Sequence, residues 1–81
     1  MKHIVKIHPI YFQQVIDGLK KAELRNNDRN YQAGDIVEML EYCPEKNDYT
    51  GRKVTIEITV VNDVSQFINT ENIVMFSFIL L

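Results

Sequence analysis

The stretch covering residues 53–60 constrains the fold more than any other part of the chain. Four apolar residues alternate there with four polar or charged ones, which is the period-two pattern of a strand with one buried face and one wet face. The apolar four are Val54, Ile56, Ile58 and Val60. We therefore predict a sheet whose buried face packs against the apolar side of a helix.

Four other segments have the composition of strands: residues 3–7, 22–25, 36–42 and 73–81. Glu38 and Glu41 indicate that part of the third segment faces solvent. The last segment is a nearly unbroken apolar run, which predicts a central strand buried on both faces. Residues 43–51 are expected to connect two strands as a hairpin, and residues 65–69 to form one helical turn.

One helix is predicted after the first strand, beginning at Pro9, whose missing N–H costs nothing in a first turn. The apolar residues that follow recur at the spacing of one helix face. They are Phe12, Val15, Ile16 and Leu19. Gly18 is placed to end the helix in the left-handed conformation, so that Leu19 packs back onto the apolar stripe.

These elements predict one α+β domain spanning residues 1–81. We expect a small curved sheet or half-open β-barrel of about five strands, with the main helix between the first two. No apolar run reaches the roughly 18 residues that span a bilayer, which favours a cytoplasmic protein without a membrane partner. One cysteine, Cys43, and two histidines, expected to flank the first strand, predict no disulfide, metal or cofactor.

Charge is distributed unevenly along the chain. Residues 1–34 carry six basic and three acidic side chains, a net charge of +3, whereas residues 35–81 carry three basic and eight acidic ones, a net charge of −5. The total of −2 therefore conceals a basic half. A basic face on an acidic protein is compatible with a localised nucleic-acid or nucleotide site.

The basic half concentrates its charge around an alternating segment at residues 22–25. If that segment is a strand, Glu23 and Arg25 lie on one face about 7 Å apart, with Lys21 next in the row. Such a row suits an anionic ligand, although a solvated strand face would look the same. We predict that Lys20, Glu23 and Arg25 converge on a cleft beside the helix end. The full set of candidate ligand-binding residues is Lys20, Lys21, Glu23, Arg25, Asp28, Arg29 and Tyr31.

Over nearly its whole length the chain resembles the ASCH domains of the PUA-like superfamily, in particular a small phage and bacterial subgroup of unknown function. The central signature is Gly-x-Lys-x-x-Glu-x-Arg at residues 18–25, followed by Asn-Asp-Arg at 27–29 and Gly-Asp at 34–35. Further matching residues are His3, Lys6, Pro9, Phe12, Glu41, Tyr42 and the run from Tyr49 to Arg52.

The resemblance implies a PUA-like β-barrel that binds RNA or a modified nucleoside in a cleft holding Lys20, Glu23 and Arg25. Some ASCH proteins are amidohydrolases that deacylate N4-acetylcytidine with a lysine, a threonine and a later glutamate. This sequence has Glu23 at the position of the threonine, and it is too short to include the longer C-terminal region that supplies the glutamate. It also has Lys21 where the family commonly has threonine.

Three functions remain open on the sequence. The first is a nucleic-acid-binding module in which Lys20, Lys21, Arg25 and Arg29 contact phosphates and Tyr31 or Tyr42 stacks on bases. The second is an N4-acetylcytidine amidohydrolase-like enzyme with Lys20 and Glu23 as reacting groups. The third is a small interaction protein without a nucleic-acid ligand, in which Arg25 pairs with Glu23 and Asp28 to hold the loop.

Overall fold

A computed structural model describes residues 1–81 as five strands and two helices. In chain order they are β1 (Lys2–Ile7), α1 (Pro9–Ile16), β2 (Ala22–Asn26), β3 (Ile36–Cys43), β4 (Asp48–Asp63), α2 (Ser65–Ile68) and β5 (Ile73–Leu80). The protein is thus a small α+β structure with its main helix after the first strand, as the sequence predicts. Its two helices are too short to cross a lipid bilayer.

The five strands form one mixed sheet in the order β1-β3-β4-β5-β2, with β1 and β3 parallel and the other pairs antiparallel. Strand β4 has 16 residues and begins at Asp48, inside the predicted hairpin connection. Its first part pairs with β3 and its last part with β5. Bulges between Leu40 and Tyr42 and between Ile58 and Val60 bend these pairings, so the sheet curls into a half-barrel.

The core fills the concave side of the sheet, where α1 contributes Phe12 and Val15. Ile56 and Ile58 are fully buried, which confirms the alternation of that strand. Val60 was predicted on the same face, but it is 43% exposed. The prediction is wrong there because the bulge after Ile58 shifts the register and turns the next side chain outward.

The end of α1 fixes where the following segment leaves the helix. Gly18 has a φ of +75°, the left-handed conformation predicted for it. Leu19, however, is 77% exposed and does not pack onto the helix stripe, so that prediction is wrong. The backbone N–H groups of Leu19 and Lys20 both donate to the carbonyl of Gln14, at 2.9 and 3.0 Å, which directs Leu19 outward.

Two further predictions about the strands require correction. Strand β5 is central, between β4 and β2, but only its concave face is buried. Ile79 on the other face is 51% exposed. Glu41 was predicted to face solvent, yet it is only 3% exposed because Arg52 and Thr50 satisfy its carboxylate inside the structure.

Candidate functional site

The two edge strands of the half-barrel, β1 and β2, approach each other without pairing. Arg25 of β2 spans the gap, and its Nη2 donates a hydrogen bond of 2.7 Å to the backbone carbonyl of Lys6 in β1. We call this gap, between residues 4–8 and residues 23–26, the seam. A side chain therefore joins the strands at the seam where a closed barrel would have ladder hydrogen bonds.

Three charged side chains meet at the seam. Lys20 Nζ lies 3.2 Å from one carboxylate oxygen of Glu23, and Arg25 Nη2 lies 3.1 Å from the other. The exposed fractions of the three side chains are 22%, 12% and 27% in chain order. This trio, called the Glu23 row below, converges as predicted: alternation places Glu23 and Arg25 on one face, and Lys20 reaches Glu23 from the segment that follows Gly18.

The pairing of β2 with β5 explains why charged side chains lie so close to the core. Glu23 is opposite Phe76, which is fully buried, and Arg25 is opposite Val74. Paired residues point to the same side of a sheet, so the charged residues of β2 occupy its concave face. Leu24 points the other way and is 55% exposed. On β2 the charged side chains are therefore more buried than the apolar Leu24, which is the reverse of the usual preference.

Three adjoining pockets form a continuous cleft along the seam. The Tyr11 pocket, of about 450 Å³, is lined by Tyr11, Lys20, Ala22, Glu23, Leu24 and Met75. The middle pocket, also about 450 Å³, shares Glu23 and Leu24 with it. The Arg29 pocket, about 290 Å³, shares Lys6 and Arg25 with the middle one. The Glu23 row thus separates an aromatic and aliphatic end of the cleft from a basic end.

The other predicted ligand-binding residues are placed differently. Arg29 lines the basic end of the cleft. Lys21 lines another pocket, of about 200 Å³, between the end of α1 and β5, so it does not extend the Glu23 row. Asp28 is exposed and forms no ion pair. The Arg25–Asp28 pair considered for a structural role is not formed, because Arg25 contacts Glu23 and the Lys6 carbonyl instead.

Tyr31, predicted as a stacking surface, lies in the core with only 3% of its surface exposed. Its ring centroid is 4.8 Å from that of His3 and 5.0 Å from that of Phe76. Burial raises the pKa of the Tyr31 hydroxyl, against the opposing effect of the nearby Arg25 and Arg29 charges. Tyr31 therefore packs in the core beneath the cleft, and its ring has no free face on which a base could stack.

The two histidines have different surroundings. His3 is buried, and its Nε2 lies 2.8 Å from Asp35 Oδ2. This hydrogen bond, followed by one from the terminal amine of Met1, lowers the pKa of the Asp35 carboxyl. His8 instead lines the middle pocket. No three histidine, cysteine, aspartate or glutamate side chains lie close enough together to hold a metal ion.

The cleft residues absent from the predicted set include Lys6, Tyr11 and Tyr49. Tyr11 is 48% exposed, with Lys20 Nζ 5.6 Å from its ring centroid. Lys6 Nζ lies 4.4 Å from the ring centroid of Tyr42 and 5.7 Å from that of Tyr49. One sequence feature could have identified Lys6 as a site residue: it is a charged residue within the β-branched run of residues 4–7. Only the curl of the sheet brings that strand beside residues 23–26.

Comparison with known proteins identifies the family. Residues 2–78 match the family described as Domain of unknown function (DUF3850), so the chain belongs to that family. An Escherichia phage P2 protein, named Uncharacterized 12.9 kDa protein in GpA 3'region, is 44% identical over 66 residues. That alignment covers 82% of this chain and 59% of the phage protein, so the chain spans less than two thirds of its relative's length.

A solved structure shares the architecture at low sequence identity. The crystal structure of hypothetical protein PH0355 matches with a TM-score of 0.69, covering 100% of both chains at 14% identity. At that identity the likeness concerns the fold alone.

Proposed function

We propose that this member of the DUF3850 family is a nucleoside- or RNA-binding module with a PUA-like fold of the ASCH type, and that its ligand occupies the seam cleft. The observation that carries the proposal is the position of Glu23. Its carboxylate is held between two cations at the edge of a pocket large enough for a nucleobase. The resemblance adds support, because the Gly-x-Lys-x-x-Glu-x-Arg signature contributes all three residues of the Glu23 row.

The Glu23 row has the hydrogen-bonding groups needed to read the edge of a base. A carboxylate accepts hydrogen bonds, as from an exocyclic amine, and the Lys20 ammonium donates them, as to a ring nitrogen or carbonyl. The contacts of Glu23 with Lys20 and Arg25 fix its orientation before any ligand arrives. Binding would therefore require little further ordering of these side chains.

The walls of the Tyr11 pocket suit the flat face of the same base. Tyr11 supplies an aromatic ring, and Ala22, Leu24 and Met75 supply apolar surface. Stacking of a base on an aromatic side chain is worth about 1 to 3 kcal/mol and tolerates any base. Tyr11 would contribute affinity, while Lys20 and Glu23 would contribute selectivity.

The proposal is tested by titrating the purified protein with the four ribonucleosides, N4-acetylcytidine and short single-stranded RNAs. We expect saturable binding with a preference among bases. Glu23→Gln should weaken the preferred ligand about tenfold to hundredfold, since it removes a charge-assisted hydrogen bond. Glu45→Gln is the matched control, because Glu45 is exposed in the turn between β3 and β4.

Three results would contradict a binding module. Absence of saturable binding to every ligand would do so, as would equal losses in Glu23→Gln and Glu45→Gln. Release of acetate from N4-acetylcytidine with turnover would indicate the amidohydrolase alternative. The same samples, assayed for acetate after the titration, distinguish binding from hydrolysis.

A further inference from the structure

We propose that the Arg29 pocket is a phosphate subsite formed by Lys6, Arg25 and Arg29. The inference rests on the proposed function, because it takes the Tyr11 pocket as the place where a base binds. It narrows the ligand class from nucleosides in general to phosphorylated nucleotides or the phosphodiester chain of RNA. The subsite gives a role to Lys6, which interrupts the β-branched run of Ile4, Val5 and Ile7.

The charge of the pocket is the first argument. It is lined by three cations, three aliphatic residues and Tyr49, with no acidic side chain among them. Lys6 and Arg29 take part in no salt bridge. Among the three cations of this pocket of about 290 Å³, only Arg25 forms an ion pair, and it shares that partner, Glu23, with Lys20. The positive charge of the pocket is therefore incompletely compensated. An anion would complete the compensation.

The hydrogen bonding of Arg25 is the second argument. Both of its contacts, with Glu23 and with the Lys6 carbonyl, use the same nitrogen, Nη2. Nε and Nη1, which carry three of the five guanidinium N–H groups, donate to no protein atom. These N–H groups lie on different edges of the guanidinium, so each can donate a separate hydrogen bond to an oxygen of an anion. Arg25 is therefore held in place by one nitrogen with the others available.

The surroundings of Lys6 are the third argument. Its ammonium lies 4.4 Å from the ring centroid of Tyr42 and 5.7 Å from that of Tyr49, and the two rings meet edge to face. Attraction to aromatic rings positions a cation without neutralising it as a carboxylate would. Lys6 thus keeps its charge and N–H donors for a ligand.

Continuity of the cleft is the fourth argument. The middle pocket shares residues with both of its neighbours, so a ligand can extend from the Tyr11 pocket to the Arg29 pocket without leaving the cleft. One end is aromatic and aliphatic and close to neutral, because Lys20 and Glu23 offset each other. The other end is cationic. A nucleotide has the same polarity, with a flat base at one end and a phosphate at the other.

The experiment compares matched ligands that differ only in phosphate. For each base, affinities are measured calorimetrically for the ribonucleoside, its 5′-monophosphate, its 3′-monophosphate and the corresponding dinucleotide, with inorganic phosphate as a separate titrant. We expect a phosphorylated form to bind at least about tenfold more tightly than its nucleoside. A dinucleotide that exceeds both monophosphates identifies an RNA chain as the source of the phosphate, and a monophosphate that equals the dinucleotide identifies a free nucleotide.

Variants then test whether the Arg29 pocket causes the tighter binding of phosphorylated ligands. Lys6→Gln and Arg29→Gln should each reduce the nucleotide-to-nucleoside affinity ratio several-fold, toward one. Lys46→Gln should leave that ratio unchanged, because Lys46 is exposed in the turn between β3 and β4 and lines none of the three cleft pockets. Thermal unfolding of each variant checks that it remains folded. Both test residues have exposed side chains, so we expect unfolding temperatures close to that of the wild type.

The outcomes separate this inference from the function on which it rests. If nucleosides bind as tightly as nucleotides, the phosphate subsite is refuted and the nucleoside-binding module stands. If Lys46→Gln lowers the ratio as much as Lys6→Gln does, the effect is general electrostatics and the subsite is likewise refuted. If neither nucleosides nor nucleotides bind, both proposals fail together.

Discussion

Two glutamates beside arginines, Glu23 in the cleft and Glu41 in the hairpin formed by β3 and β4, show how similar ion pairs can serve different purposes. Both carboxylates are largely buried, with residual side-chain exposures of 12% and 3%. They differ in how completely the neighbouring arginine is used. That difference indicates which of the two has capacity left for a ligand.

The pair formed by Glu41 is saturated. Arg52 binds both carboxylate oxygens through Nε and Nη2, each at 2.9 Å, and the Thr50 hydroxyl donates to one of them. The guanidinium carbon of Arg52 also lies 4.7 Å from the ring centroid of Phe12, a core residue of α1. The hydrogen bond from Arg52, with that from Thr50 next, lowers the pKa of the Glu41 carboxyl. This pair ties the hairpin to the helix.

The pair formed by Glu23 is unsaturated. Arg25 gives one nitrogen, Nη2, to the carboxylate and to the Lys6 carbonyl, and its Nε and Nη1 donate to no protein atom. Lys20 adds a second cation, and pockets lie on both sides of the row. Burial of the charge is therefore common to both pairs, whereas the second cation and the adjoining pockets distinguish Glu23 from Glu41.

The largest expected effect is on stability, at Glu41. Glu41→Gln keeps the shape but removes the charge that orients Arg52 and Thr50, so we expect the unfolding temperature to fall by roughly 10 °C. Glu45→Gln, in the exposed turn nearby, should change it by less than about 2 °C. Calorimetric unfolding measures both. A fall for Glu41→Gln no larger than that of the control would contradict the structural role of the pair.

An intermediate effect is expected on binding, at Arg25. Arg25→Lys keeps the charge but loses the planar fork, so we expect affinity for the preferred nucleotide to fall about tenfold or more. Lys21→Arg changes a cation outside the cleft and should be nearly silent. Titration of both variants at low and moderate salt is the measurement. Wild-type affinity in Arg25→Lys would mean that the cleft is a diffuse electrostatic surface.

The smallest expected effect is a decrease in the free energy of unfolding at acidic pH. The Asp35 and Glu41 carboxyls have lowered pKa values in the folded state, so they stabilise the protein above their unfolded values of about 4. This contribution is lost as pH falls through the lowered folded values. We expect the free energy of unfolding to be flat from pH 7 to about 5 and to drop below about 4.

A variant sharpens the acid prediction. Asp35→Asn should be less stable than the wild type at pH 7. Its free energy of unfolding should fall less on acidification, because residue 35 no longer binds a proton on unfolding. Denaturant unfolding at pH 3, 5 and 7 measures this. An acid response in Asp35→Asn as steep as that of the wild type would mean that other carboxylates account for it.

Much of the fold was predictable because patterns among neighbouring residues in the sequence determine it. Strict alternation located β4 and its buried Ile56 and Ile58, and proline, periodicity and glycine located α1 and its end at Gly18. Val60 was mispredicted because a bulge is a property of strand pairing rather than of one strand. Leu19 was mispredicted because the backbone hydrogen bonds to Gln14 decide its direction.

The site was predictable only where its residues are neighbours in the chain. Lys20, Glu23 and Arg25 lie within six residues; alternation sets the common direction of Glu23 and Arg25, and the helix end at Gly18 brings Lys20 beside them. Lys6 enters the cleft through the curl of a sheet in which β1 and β2 are separated by three strands. The polar residues before Tyr31 predict a loop. Its side chain nevertheless lies in the core, because Asn27 Oδ1 accepts a hydrogen bond from the Tyr31 N–H and turns the loop inward.

The central claim is that the Glu23 row receives a ligand while the Glu41 pair holds the fold. Two-dimensional NMR of uniformly ¹⁵N-labelled protein, titrated with the four ribonucleoside 5′-monophosphates, tests it most directly. We expect the largest amide shift changes at residues 4–11 and 20–29, with residues 41 and 52 unchanged. Largest shift changes at residues 41 and 52, or none at saturating nucleotide, would contradict the account.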